Sequence, residues 1–300
     1  MKGLVIAGPT GVGKTDLSLK LAKILNAEII SADSMQIYKG MDIGTAKIKP
    51  EETGGIRHYI IDIISPDEDY SVGNFERDAN KILAEKNGEN IIITGGTGLY
   101  INALTNGISE LPGKDENLRK VLSEKPLEEL QEELYNMDPE SYNEIDIKNK
   151  VRVLRALEVC MLSGEKFSIL KKRNIKGNKY DFLKILLLRD REELYDRINR
   201  RVDIMMNDGL LDEAKKIYRE YRDVLYKINA IGYKELFCYF DGKISLDEAV
   251  NMIKTESRRY AKRQMTWFRK EEDYTVYNLS SQSEKEILED ILEKWNNFNK

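Results

Sequence analysis

Histidine and cysteine are almost missing from this chain of 300 residues: there is one histidine, His58, and there are two cysteines, Cys160 and Cys238, far apart in the sequence. No His/Cys cluster therefore has zinc-ligand spacing, and nothing suggests a disulfide framework, so a reducing, cytoplasmic setting is expected. Long apolar runs are missing too. The run Gly3 to Ala7 is too short for a signal peptide, and no stretch approaches membrane-spanning length, which sets membrane and secreted readings aside. A strong excess of one charge is also absent. With a third of its residues charged and a net charge of −4, the chain exerts no global pull on nucleic acid. Internal repeats and low-complexity segments are not found.

What is present is an octapeptide, Gly8-Pro9-Thr10-Gly11-Val12-Gly13-Lys14-Thr15, with the spacing G-x-x-x-x-G-K-[ST] of a phosphate-binding loop. An apolar run precedes it and an amphipathic stretch, Asp16 to Leu25, follows, which is the strand, loop and helix context the motif requires. Glycines let backbone N–H groups curl around a phosphate. The helix N-terminus and Lys14 supply positive charge, and the Thr15 hydroxyl is placed to meet Mg²⁺. A chance match arises on the order of 1% of the time in a chain of this length. Polyphosphate binding is expected.

Pattern divides the chain. Short apolar strands at Leu4 to Ala7, Glu28 to Ser31, Tyr59 to Ile63 and Asn90 to Thr94 alternate with helical stretches, and a further strand runs from Leu183 to Leu188. Alternation of this kind predicts an α/β fold: a P-loop NTPase-like core, its mainly parallel sheet covered by helices. Between Leu118 and Asn174 only helical periodicity remains, with Leu127, Leu130 and Leu134 in one stripe and Val151, Leu154, Leu157 and Met161 in another. The expected organisation is a core of residues 1–114, an all-helical insertion at 115–182, and a strand followed by C-terminal helices at 183–300.

Charge is unevenly spread. Basic clusters lie at Lys148, Lys150, Arg152 and Arg155, at Lys171 to Lys179, and at Arg258, Arg259, Lys262, Arg263 and Arg269. At helical spacing Arg258 shares a face with Lys262, and Arg259 with Arg263. Each cluster alone reads equally as a solvated helix face. Three on an acidic protein favour a polyanionic partner, and Tyr260, Trp267 and Phe268 are placed either to stack on unpaired bases or to fill a core.

Two further segments flank the phosphate loop. Strand two runs into Asp33-Ser34-Met35-Gln36, at the strand end that faces the ligand crevice of a doubly wound sheet. Asp33 is there either a general base or, with Gln36 three residues on, a helix-capping box. Strand four ends in Gly95-Gly96-Thr97-Gly98 where most phosphate-loop ATPases carry a Mg²⁺-binding carboxylate. Its glycines permit close approach of a ligand, and Thr97 offers a hydroxyl.

Taken together, GPTGVGKT at 8–15, DSMQIYKGMDIGTAK at 33–47, GGTGLY at 95–100, RALE at 155–158, IGYKE at 231–235 and YAKRQMTWFR at 260–269 resemble the bacterial tRNA dimethylallyltransferases. The resemblance runs in order from the first strand to about Arg269. It implies transfer of a dimethylallyl group from dimethylallyl diphosphate to the exocyclic N⁶ amine of the adenosine 3′ of the anticodon, with diphosphate leaving and no ATP consumed. The loop, Lys14, Thr15 and Mg²⁺ would stabilise the diphosphate, Asp33 would take the amine proton, and Thr97 would hold the reactants in line. Asp33, Ser34, Met35 and Gln36 match the stretch touching the target base, which the family flips into a channel. Arg119, Arg152 and Arg155 match tRNA-contacting positions, and Arg258, Lys262 and Arg263 are assigned to tRNA as well. Val151 and Asn229 depart from residues found in many relatives, Asn229 standing where some carry an arginine, and the zinc finger of eukaryotic relatives is absent. The expected protein is a monomer that needs no protein partner. The alternatives are a phosphate-loop small-molecule kinase with arginines 189, 191, 197, 200 and 201 in a lid, an adenylate prenyltransferase using a free nucleotide, and a non-catalytic nucleic-acid-binding module.

Overall fold

The computed structural model describes residues 2–173 and 180–298, so Lys176 and Lys179 of the second basic cluster lie outside the described residues. Strand β1 (Lys2–Ala7), helix α1 (Lys14–Leu25), β2 (Ala27–Ser31), β3 (His58–Tyr59), α2 (Val72–Glu85), β4 (Asn90–Gly95) and α3 (Gly98–Asn106) form the first part of the core. Helices α4 (Glu116–Glu124), α5 (Leu127–Met137), α6 (Pro139–Glu144), α7 (Lys150–Ser163) and α8 (Phe167–Arg173) follow. The core resumes with β5 (Asp181–Leu188), α9 (Arg191–Asn207), α10 (Leu210–Glu220), α11 (Tyr233–Phe240), α12 (Leu246–Phe268), β6 (Thr275–Asn278) and α13 (Glu284–Phe298).

All strand pairs are parallel, in the order β3-β2-β4-β1-β5-β6. Side chains alternate across a strand, so a sheet buried on both faces needs apolar residues at every position. β1 shows this directly. Leu4 and Ile6 pack on one face with Leu17 and Leu21 of α1, Leu194 and Ile198 of α9, and Ile287 and Trp295 of α13. Val5 and Ala7 pack on the other with Phe75 and Leu83 of α2 and Tyr100 and Leu104 of α3. A third cluster joins Leu210, Ala214, Tyr233, Leu236, Ala249 and Ile253 from α10, α11 and α12.

Two strand boundaries differ from the sequence reading. β3 stops after Tyr59 because Ile60 and Asp62 take left-handed backbone, at φ 61° and 55°. β6 was not anticipated: it pairs with β5 at the sheet edge, and of its four residues only Tyr277 is buried, too short a pattern to read.

The chain divides into two compact units, Met1–Thr105 with Lys179–Lys300, and Asn106–Asn178. The helical unit thus begins at 106 instead of 115 and ends at 178 instead of 182. Hydrogen bonds account for the earlier start: Ser109 Oγ donates to the Lys171 carbonyl, and Arg155 donates to the Pro112 carbonyl, so 107–114 is tied to the helices that follow. At the far end Asp181 and Phe182 already pair with Lys2 and Gly3 of β1. The unit has a core of its own, with Leu122, Leu130, Leu134, Val153 and Leu157 fully buried.

Candidate active site

β1 ends at Ala7, and the chain turns through the glycine loop into α1 at the C-terminal edge of the sheet. Gly8 takes φ 152°, and a Cβ there would lie 2.6 Å from the Leu187 carbonyl oxygen. Gly13 caps α1 with φ 109°, a conformation that a side chain would strain. Lys14 folds back over the loop, its Nζ donating to the Gly8 and Pro9 carbonyls at 3.0 and 2.9 Å. Burial pulls the Lys14 ammonium down to about 8, with Asp33 acting to raise it and Arg201 to lower it further.

Three arginines embrace the loop. Arg189 Nε donates to the Val12 carbonyl at 2.9 Å, Arg197 Nε to the Gly11 carbonyl at 3.0 Å, and Arg201 to the Thr10 hydroxyl at 3.3 Å. Arg197 and Arg201, four residues apart on α9, share one face. Sequence reasoning had set these residues aside for a kinase lid; their spacing just after a sheet strand was the available signal. Arg201 is half-buried, and its desolvation lowers its pKa, while Asp33 raises it and Arg197 lowers it further.

Asp33 does not cap a helix. No helix follows it; its Oδ1 accepts from the Met35 N–H at 2.9 Å, while Gln36 Oε1 accepts from Ser31 Oγ and Gln36 Nε2 donates to the Thr45 and Ala46 carbonyls. The capping-box alternative is thereby removed. Thr97 Oγ1 accepts from the Ser34 N–H at 3.1 Å, which joins the end of β4 to the segment after β2. Burial and the charge of Asp33 push the Tyr260 phenol up to about 12, against hydrogen bonds from Thr97 and Gln264.

The glycines after β4 serve packing within the protein. A Cβ on Gly95 would meet the Ala32 carbonyl oxygen at 2.1 Å, one on Gly96 would meet Gln264 Nε2 at 2.2 Å, and one on Gly98 would meet the Trp267 ring at 2.3 Å. Gln264, buried on α12, accepts from the Thr10 N–H at 2.9 Å and donates to the Gly96 carbonyl at 2.8 Å. The phosphate loop and the Thr97 loop are thus clasped by one side chain that sequence reasoning had not singled out.

Two cavities open on this arrangement. One, of about 460 Å³, is lined by Gly13, Lys14, Thr15, Ala46, Arg197 and Arg201. The other, of about 300 Å³, is lined by polar Asp33, Ser34, Tyr260 and Arg263 and by apolar Ile198, Val202 and Ile253. Arg201 lines both, so a cationic space adjoins a partly apolar one that holds a carboxylate. Met35 and Asn229 also line the second cavity. Among the described residues no cluster of three His, Cys, Asp or Glu is placed to hold a metal, and no helix is long and apolar enough to cross a membrane.

The residues assigned to tRNA fall into two groups. In the helical unit, Glu158 is fully buried and accepts from Arg119 Nε at 2.7 Å, Arg119 Nη2 at 2.8 Å, Arg155 Nη1 at 2.6 Å and the Asp115 N–H at 3.0 Å. Burial alone would raise this carboxyl, yet the hydrogen bonds from both arginines and the Asp115 N–H hold it down at about 2. Arg119 and Arg155 are therefore built into the unit's interior architecture, while Arg152 is exposed. On α12, Arg258 is committed to Asn199 and Thr255, Lys262 is exposed, and exposed Arg263 sits over the Tyr260 ring at 5.7 Å. Phe268 belongs to the core, and Trp267 is exposed although its ring lies against Gly98.

Comparison with known proteins identifies the family. The family model described as IPP transferase matches residues 36–271. A tRNA dimethylallyltransferase of Fusobacterium nucleatum is 54% identical over 295 residues, covering 98% of this chain and 97% of the relative. The crystal structure of the tRNA isopentenylpyrophosphate transferase of Bacillus halodurans is 41% identical, with a TM-score of 0.71 over 97% of this chain and 94% of that one. A eukaryotic dimethylallyltransferase acting on tRNA superposes with a TM-score of 0.82 at 28% identity, covering 94% of this chain and 75% of that one. The chain belongs to the IPP transferase family and is, within it, a prenyltransferase of the tRNA dimethylallyltransferase group.

Proposed function

We propose that this protein transfers the dimethylallyl group of dimethylallyl diphosphate to the N⁶ amine of the adenosine 3′ of the anticodon in tRNA. The observation that carries the reading is the adjacency of the two cavities across Arg201, one cationic and the other lined by Asp33 together with apolar side chains. The diphosphate lies on the glycine loop, held by backbone N–H groups, Lys14, Arg197 and Arg201. The prenyl group extends along Ile198, Val202 and Ile253. The N⁶ nitrogen attacks C1 of the prenyl group, the C1–O bond breaks, and its electron pair leaves with the diphosphate. Asp33 accepts the amine proton. Thr97, ordered by the Ser34 N–H, hydrogen-bonds the incoming nucleoside.

Thr15 fits a Mg²⁺ ligand: it stands in the first turn of α1 in the cationic cavity, and no side-chain hydrogen bond occupies its hydroxyl among the described residues. Mg²⁺ takes one or two protein oxygens and completes its shell with phosphates and water, so no acidic cage is required. Bound there, it would neutralise diphosphate charge. Arg152, Lys262 and Arg263 are exposed positive charges suited to tRNA phosphates. Recognition of the anticodon stem-loop, a monomeric state and a cytoplasmic location complete the proposal.

Incubation with dimethylallyl diphosphate, Mg²⁺ and unmodified tRNA, followed by nucleoside analysis, tests it. The expected product is N⁶-dimethylallyladenosine in tRNA. Prenylation of free AMP instead, or no prenylated nucleoside at all, would overturn the reading.

A further inference from the structure

The segment 42–47 touches both cavities through its middle: Gly44 and Thr45 line the one that holds Asp33, and Ala46 lines the one that holds Lys14. It is neither strand nor helix, and Ala46 takes left-handed backbone at φ 48°, so local preference does not keep it in place. A carboxylate on α10 does. Glu213 Oε2 accepts from the Asp42 and Ile43 N–H groups, both at 2.9 Å. Glu213 Oε1 accepts from the Gly44 N–H at 3.0 Å and from the Tyr233 hydroxyl at 2.6 Å. Three successive N–H groups form a concave cradle of the kind that ordinarily takes an anion. Here the anion is a side chain of the protein itself.

Tyr233 closes the clamp from the other side. It is fully buried, and a Cβ on Gly44 would lie 2.5 Å from its ring, so the loop rests directly on the aromatic face. The far end of the loop is fixed by Lys47, whose buried Nζ donates to the Tyr38 carbonyl at 2.9 Å and to the Asp42 and Asp62 carboxylates at 2.5 Å each. Asp62 is itself in left-handed backbone, and Gln36 Nε2 donates to the Thr45 and Ala46 carbonyls. Strained residues persist where the surroundings over-determine them, and such places cluster at functional sites.

We propose that Glu213, with Tyr233, is a positioning residue for prenyl transfer: it fixes the 42–47 loop as the wall against which the prenyl diphosphate is seated. This rests on the prenyltransferase reading above. Glu213 touches no reacting atom; it acts through the loop.

The test uses the full-length protein and two variants. Glu213→Gln replaces one accepting oxygen with an NH₂ that faces N–H donors. Tyr233→Phe keeps the ring against Gly44 and removes only the hydroxyl. Three quantities are read: kcat and KM for dimethylallyl diphosphate at saturating tRNA, hydrogen exchange at the amides of Asp42, Ile43 and Gly44, and tRNA affinity. In Glu213→Gln the expected result is a KM for the diphosphate raised roughly tenfold or more, with faster exchange at those three amides and tRNA affinity held within about twofold. Tyr233→Phe is expected to move the same quantities in the same direction, by less. Faster exchange with an unchanged KM would show a purely structural clamp and overturn the proposal, as would unchanged exchange in both variants. If the parent protein itself transfers no prenyl group, the underlying reading fails, and that outcome is seen before any variant is compared.

Discussion

Arginines are spent differently in the two units. In the helical unit Arg119 and Arg155 converge on the buried Glu158, and their charges are answered within the protein. Around the phosphate loop Arg189, Arg197 and Arg201 bond to carbonyls and a hydroxyl, which are neutral acceptors. Arg189 also pairs with Glu193, but Arg197 and Arg201 remain cations beside Lys14, and Asp33 is the carboxylate whose charge acts on Lys14 and Arg201. Both groups look alike as letters in a sequence. The counter-ion decides whether a basic residue is a strut or a receptor, since a cation satisfied by neutral partners keeps its full charge for a ligand while one on a buried carboxylate does not.

Removing the carboxylate of the receptor side should have the largest effect. Asp33→Asn keeps the shape and loses the base, so turnover is expected to fall ~10²–10⁴-fold while diphosphate and tRNA affinity are kept. Turnover within a few-fold of the parent would leave Asp33 only its turn-forming bond to Met35.

Lys14→Ala removes a cation aimed at the diphosphate and should weaken its binding by about 1.5–3 kcal/mol, measured by titration calorimetry. Acidity sharpens the same point. Free Lys14 titrates at about 8, and a bound diphosphate would raise that value by adding a neighbouring negative charge. The protonated form is the binding form, so affinity should be level below about pH 8 and decline as pH rises through it. The Lys14→Ala variant should lack that decline.

On the strut side, Arg155→Ala leaves Glu158 short of one partner and frees the Pro112 carbonyl. The expected outcome is a loss of about 1.5–3 kcal/mol in the stability of the helical unit, read by thermal or denaturant unfolding. An Arg155→Ala protein with unchanged stability and reduced tRNA affinity would move this residue from strut to receptor.

The smallest effect is expected at Arg263, which is exposed beside Tyr260. Arg263→Ala should leave stability and diphosphate affinity alone and flatten the salt dependence of tRNA binding by roughly one unit of slope. No change in slope would make it a solvated face.

Much of the fold was legible in the chain. The strands β1, β2, β4 and β5 are runs of Ile, Leu and Val because both faces of the sheet are covered, and that pattern needs no alignment to read. β6 was not, because an edge strand with one buried residue leaves almost no pattern. In the site, Lys14, Thr15, Asp33 and Thr97 were named from motif and position. Gln264 and Glu213 were not, because each works by bonding backbone groups more than 160 residues away in sequence. The glycines of 95–98 read in the sequence as room for a ligand, yet Gly95 makes room for the Ala32 backbone after β2, and Gly96 and Gly98 make room for Gln264 and Trp267 of α12, which comes from the far end of the chain.

By itself the sequence determined what is local and chemical: the loop that cradles phosphate, the strand periodicity, and the residue types able to donate, accept or carry charge. A phosphate loop is specified within eight residues because its function resides in consecutive backbone N–H groups. Only the tertiary structure decided which charges are answered and which are left for a substrate. Arg155 and Arg201 differ not in type but in what folding places opposite them, a buried carboxylate in one case and a threonine hydroxyl in the other. That pairing is set by long-range packing, where the cost of burying an unpaired charge selects a partner that can lie anywhere along the chain.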